Sequence, residues 1–155
     1  MEGIEIMSIE NRVIGLVERF NQYNDWEDRY KELIKIGKNL DDLPVEFQIE
    51  KFQIKGCQSK VWLRPQYKNG VVEFFATSDA ILVKGIVGLL VEAYSHATPD
   101  EIISYKDDFL KDIGITDHLS MNRTNGLASM LKQIKMYGIV FKSLADKGIK
   151  DANNF

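Results

Sequence analysis

Cysteine, histidine and proline are scarce in this chain: 155 residues hold one, two and three of them. The lone Cys57 has no intramolecular disulfide partner and no C-x-x-C redox mate, and its reduced thiol fits a cytosol. His96 and His118 are scattered, so together with Cys57 they show no metal-ligand spacing. There is no P-loop and no G-x-G-x-x-G after a strand. No basic excess exists either. The formal net charge is -3 and the pI near 5.4, against nucleic acid as the main partner. No apolar run reaches the roughly 18 residues of a membrane span. The longest, Ala80 to Tyr94, carries Lys84 and Glu92. The N-terminal MEGIEIMSIENRV carries Glu2, Glu5 and Glu10 and lacks the unbroken apolar stretch of a secretory signal. Repeats, linkers and low-complexity segments are absent. The expectation is one soluble, cytoplasmic domain over residues 1–155, with no membrane partner.

What is present is an ordinary globular balance, 45% hydrophobic and 28% charged. Ile9, Val13, Leu16, Val17 and Phe20 recur at helical spacing, as do Trp26, Tyr30, Leu33 and Ile34 up to Gly37. These predict a helical hairpin joined at Asn21 to Asp25. The stretch from Val45 to Gln53 is ambiguous. Ser59 to Arg64 alternates in character, and Val71 to Ala76 is β-branched and aromatic. Lys68-Asn69-Gly70 between them reads as a tight hairpin turn. Phe52 to Lys55 is a candidate third strand. Thr77-Ser78-Asp79 offers N-caps to a helix from Ala80 to Tyr94, apolar almost all round and therefore expected in the core. Thr98-Pro99-Asp100-Glu101 combines a cap, a first-turn proline and a capping-box glutamate. Leu127, Met130, Leu131, Ile134, Tyr137, Phe141 and Leu144 mark a long last helix, and Asp151 to Phe155 reads as a frayed tail. The fold class is α+β: a small antiparallel sheet of about three strands flanked by helices, with a buried central helix and a long C-terminal one.

Cys57 sits in KGCQSKVWL, just before a strand. Most lone cysteines are inert packing. Three local features argue for reactivity: Gly56 lets the backbone turn sharply, Lys55 and Lys60 lie close enough in sequence to favour a thiolate, and a strand junction displays a side chain well. A cysteine hydrolase or transferase needs a base, which only His96 or His118 could supply. Three readings stay open at this point: a thiol carrier, a Cys–His enzyme, and an interaction module with a structural cysteine.

The segment GCQSKVWL resembles the G-C-Q-S-x-V-W signature of the SufE family, the sulfur acceptors of iron–sulfur cluster assembly. TSDAILVKGIVGLL, Thr77 to Leu90, is similar to that family's S-D-A-x-I-V-K-G segment. HLSMNRTNGLASMLKQIK, His118 to Lys135, is similar to its H-L-x-x-x-R-x-N/Q-G-L-x-x-M stretch. The three blocks are in order and span most of the chain. The resemblance implies that Cys57 accepts sulfur from the persulfide of a SufS-like cysteine desulfurase, whose pyridoxal phosphate (PLP) stays on that partner. This chain would bind no cofactor, stimulate the desulfurase without being an enzyme itself, and pass sulfur to a SufBCD-like Fe–S scaffold. It also implies a cysteine loop that tucks inward when free, with Gly56 as a hinge. Gln58 and Ser59 would hydrogen-bond in that loop or to the donor, and Asp79 would cap a helix and tune the loop. Arg123 would anchor the loop, meet the desulfurase or cap its own helix. Asn125 and Gly126 would shape the start of the last helix. The chain departs from the usual pattern at Lys55 and Lys60, both adding positive charge near the thiol. Self-association, a homodimer included, is left open.

Overall fold

The computed structural model describes residues 8–152. The expectation about the N-terminal segment therefore concerns residues mostly outside the description. Helix α1 (Ile9–Asn21) starts where the Ser8 hydroxyl accepts from the Asn11 amide, and it buries Ile9, Val13, Leu16 and Phe20. Helix α2 (Trp26–Asn39) is capped in the same way by Asp25 and buries Leu33, Ile36 and Gly37. The two do not close as the expected hairpin. Instead α2 lies along α3 (Ile81–Tyr94), while α1 packs on α3 and on α5 (Phe109–Ile113). The reason is glycine. A Cβ at Gly37 would stand 2.8 Å from the Gly85 nitrogen, and one at Gly85 would stand 2.2 Å from the Leu33 carbonyl oxygen. Bare backbones at the crossing let α2 and α3 approach more closely than side chains allow.

The residues between Val45 and Phe52 form two single 3₁₀ turns, Val45–Phe47 and Glu50–Phe52. Strands β1 (Val61–Lys68) and β2 (Val71–Ser78) pair antiparallel, from Val61 opposite Ser78 to Lys68 opposite Val71. Asn69 and Gly70 close the hairpin with φ of 54° and 78°, the geometry expected of Asn-Gly. Val61, Leu63, Pro65 and Tyr67 alternate inward along β1. The expected third strand is reduced to one bridge, Gln53 to Trp62, beside a bond from the Ile54 amide to the Val61 carbonyl. The 3₁₀ turn takes Phe52 and the next turn begins at Lys55, which leaves only Gln53 and Ile54 to pair. The sheet is thus two-stranded, with short flanking contacts. Ala97 bridges Val72, and Ala152 bridges Tyr67. The tail is therefore docked through Ala152 rather than frayed, with the Asp151 carboxylate accepting from the Asn69 amide. Residues 153–155 lie outside the description.

Helix α3 is buried on nearly every side and packs against β2, α2 and α6 (Met121–Asp146). Its expected side-chain cap is absent: the N-cap is Ala80, and the Ser78 hydroxyl takes only the Ala80 amide. Helix α4 (Pro99–Ser104) begins as predicted, with the Thr98 hydroxyl accepting from the Glu101 amide. Glu101 does not fold back on its own helix. Its carboxylate accepts the Ile9 amide and so caps α1 from a distance of 92 residues. Helix α6 starts six residues before the periodic apolar run, because Ser120 caps it at the Arg123 amide.

Candidate functional site

Two anchored ends hold the loop that carries Cys57. Upstream, Ile54 is buried and bonded to Val61. Downstream, Lys60 is gripped by the start of α3. Its amide donates to the Asp79 carboxylate at 3.0 Å, and its carbonyl accepts from the Ser78 hydroxyl and the Asp79 amide. Asp79 is thus no helix cap; it is a clasp on the cysteine loop. Between the anchors Gly56 adopts φ +89°, a left-handed conformation that disfavours any side chain. A Cβ there would also lie 2.5 Å from the Ser129 Oγ on α6. The loop therefore lies flat against α6, and its turn points the cysteine inward.

The thiol is half-buried and donates to the Gly126 carbonyl, Sγ to oxygen 3.7 Å. A Cβ on Gly126 would meet Sγ at 3.4 Å, so the bare helix face is what gives the sulfur room. Burial pushes the Cys57 thiol above its ordinary pKa, because the charged form loses hydration. The expected help from lysines is not found. Lys55 extends into solvent and pairs with Glu50 at 3.4 Å, and burial alone sets the direction of the shift.

A cavity of about 260 Å³ opens beside the sulfur. Val83, Ile86 and Met130 supply its apolar part, and Gln58, Ser59, Ser120, Asn122 and Arg123 its polar part. Arg123 is exposed, and its backbone amide is the one held by Ser120. The structure thus gathers Cys57, Gln58, Ser59 and Arg123 at one place, with Gly56 and Asp79 setting the loop that carries the first three. Asn125 does not join them; it is exposed on another face of α6. Asn122, Gly126 and Met130 recur every four residues, and Val83 and Ile86 every three. That periodicity was visible in the sequence as two helix stripes, but nothing local said that both would face Cys57.

The histidines are elsewhere. The His96 Nδ1 lies 3.1 Å from a Glu73 carboxylate oxygen, and His118 stacks on Trp26 at 4.4 Å between ring centres. Neither lines the cavity, so a Cys–His pair has no geometric support. Among the described residues no three His, Cys, Asp or Glu side chains gather as a metal-binding group, and no helix is long and apolar enough to cross a membrane.

Residues 15–138 match the family described as SufE, Fe-S metabolism associated domain. The chain is 34% identical to an uncharacterized SufE-like protein of Synechocystis over 127 residues, 82% of this chain and 80% of that one. It is 36% identical to an uncharacterized SufE-like protein of Rhizobium meliloti, covering 77% and 89% of the two chains. A hypothetical protein from Thermus thermophilus, solved in solution, shares the fold with a TM-score of 0.70 at 19% identity, covering 83% of this chain and 94% of that one.

Proposed function

Because this chain belongs to the SufE family, whose domain is associated with Fe–S metabolism, we propose that it is a sulfur carrier acting through Cys57. One observation carries the reading: the only thiol sits on a clasped loop at the mouth of a cavity, with no base beside it. A thiol without a base or a second cysteine has one chemistry left, which is to accept a group and give it away. The donor is a SufS-like desulfurase that holds sulfur as a persulfide made with its own PLP. The Cys57 thiolate attacks the outer sulfur, forming a new S–S bond. The bond to the donor cysteine breaks, and that cysteine leaves as a thiolate. A SufBCD-like scaffold is the proposed recipient.

Attack needs a thiolate, and the tucked thiol is held protonated by burial. Docking must therefore change the surroundings of the loop. The surface around the loop suits that purpose. Ile81, next to the Asp79 clasp, is 67% exposed, and Met121, between cavity residues Ser120 and Asn122, is 79% exposed. Arg123 at the cavity and Lys60 at the foot of the loop are exposed cations, which suits an acidic partner surface with an apolar centre. The test mixes the protein with candidate desulfurases, PLP and cysteine and weighs the intact chain. The expected result is one added sulfur, located at Cys57, together with faster desulfurase turnover. Cys57→Ser should lose both. Normal stimulation by the serine variant would leave a structural activator as the better account.

A further inference from the structure

The cavity beside Cys57 is far larger than its proposed cargo. One sulfur atom occupies no more than about the 30 Å³ of a water molecule, against about 260 Å³ of space. Its lining is divided. Val83, Ile86 and Met130 supply apolar lining, and Arg123, Asn122 and Ser120 supply polar lining. Among the described residues the Arg123 guanidinium has no hydrogen-bond or ion-pair partner. A guanidinium is a fork suited to a carboxylate.

We infer that this cavity binds a small thiol carrying a carboxylate, with its short stem on Val83, Ile86 and Met130 and its carboxylate on Arg123. The cargo in this inference rests on the sulfur-carrier reading; the pocket does not. With Cys57 loaded as Cys57–S–SH, the bound thiolate attacks the outer sulfur. A bond forms between the two sulfurs, and the bond from the outer sulfur to Sγ breaks. The electron pair goes to Sγ, and a proton from water restores the Cys57 thiol. No external oxidant or reductant enters. The small molecule leaves as a persulfide. A buried sulfur of raised pKa is a slow leaving group, so anchoring the attacking thiol beside it is what would make this route compete.

Two measurements test the inference. The first compares alkylation of Cys57 by iodoacetate and by its neutral counterpart iodoacetamide, each expressed relative to the unfolded chain. The folded protein should favour the anion, and Arg123→Gln should lower that preference about tenfold, with Arg123→Lys keeping part of it. Arg123 is exposed, so these variants should fold. The second loads Cys57 with inorganic polysulfide, with no desulfurase present, and follows sulfur release to 3-mercaptopropionate and to 2-mercaptoethanol. Saturable release that favours the carboxylate, and that weakens in Arg123→Gln, is expected. An unchanged iodoacetate preference in Arg123→Gln, or release that is linear in both thiols and equal in rate, would overturn the inference. Failure to load from a desulfurase, with the anion preference intact, would instead count against the sulfur-carrier reading alone.

Discussion

The β-hairpin has two ends, and they are closed in opposite ways. At the turn, Asn69 and Gly70 reverse the chain through their own backbone angles, and the Lys150–Ala152 segment pins the outside. A Cβ at Gly70 would meet nothing within 4 Å. At the other end the reversal at Gly56 depends on a different element: Ser129 and Gly126 of α6 receive the loop, and Asp79 clasps its base. A locally closed end stays shut whatever its neighbours do. An end closed by tertiary contact can open without breaking any rung of the β1–β2 ladder, and opening is what a thiol that must meet a partner requires.

Replacing the two glycines tests that contrast most severely. Gly56→Ala meets both a left-handed φ and a clash, so it should cost about 2 kcal/mol or more and expose the thiol. Urea unfolding and Cys57 alkylation rates read the two effects. Gly70→Ala carries the φ penalty alone, about 1 kcal/mol, and should leave alkylation unchanged. The clash has a single author, because Ser129 Oγ is the only atom closer than 3.5 Å. Gly56→Ala combined with Ser129→Ala should therefore recover the steric part and fall back to the cost of Gly70→Ala. Additive penalties in that double-mutant cycle would show that α6 does not hold the loop shut. A smaller effect is expected at the clasp. Asp79→Ala leaves the exposed Lys60 amide to water, a loss of about 1 kcal/mol at most. Its signature is kinetic, faster alkylation with little change in the urea midpoint; no change in rate would mean that the clasp does not restrain the loop.

Legibility in the sequence follows the same division. The Asn-Gly turn, the Thr98-Pro99 helix start and the buried central helix were readable because their causes lie within a few residues. The strand expected at Phe52 to Lys55 failed because a 3₁₀ turn ending at Phe52 and a turn starting at Lys55 leave room for a single bridge rather than a ladder. Asp79 was expected to cap a helix and also to tune the loop; only the contact with the loop is found, for a related reason. Its position before a helix is a local signal, but its actual partner, Lys60, lies 19 residues upstream. Cys57 stood out on local features and on the family signature. The cavity did not, since Val83 and Ile86 come from one helix and Asn122, Gly126 and Met130 from another. Lys55 shows the opposite error, nearness in sequence taken for help to the thiolate: its ammonium pairs with Glu50, and burial is what shifts the thiol.

The mildest prediction concerns pH, and it separates the two ends without any mutation. Burial raises the Cys57 pKa in the folded chain, so the folded state holds its thiol proton more firmly than the unfolded state does. Between the ordinary thiol pKa, about 8.5, and the raised folded value, the folded chain binds more protons than the unfolded one. Stability therefore falls as pH climbs through that window, and the contribution is fully present below it. Cys57→Ala should remove this slope, whereas Gly70→Ala, lowering stability by the same amount at every pH, should keep it. The alkylation profile carries the same sign: its midpoint should lie above that of the unfolded chain and move down in Gly56→Ala as the sulfur regains water. A midpoint at or below the unfolded value in the parent protein would mean that cations near the loop outweigh burial, and that the tucked state is already primed for attack.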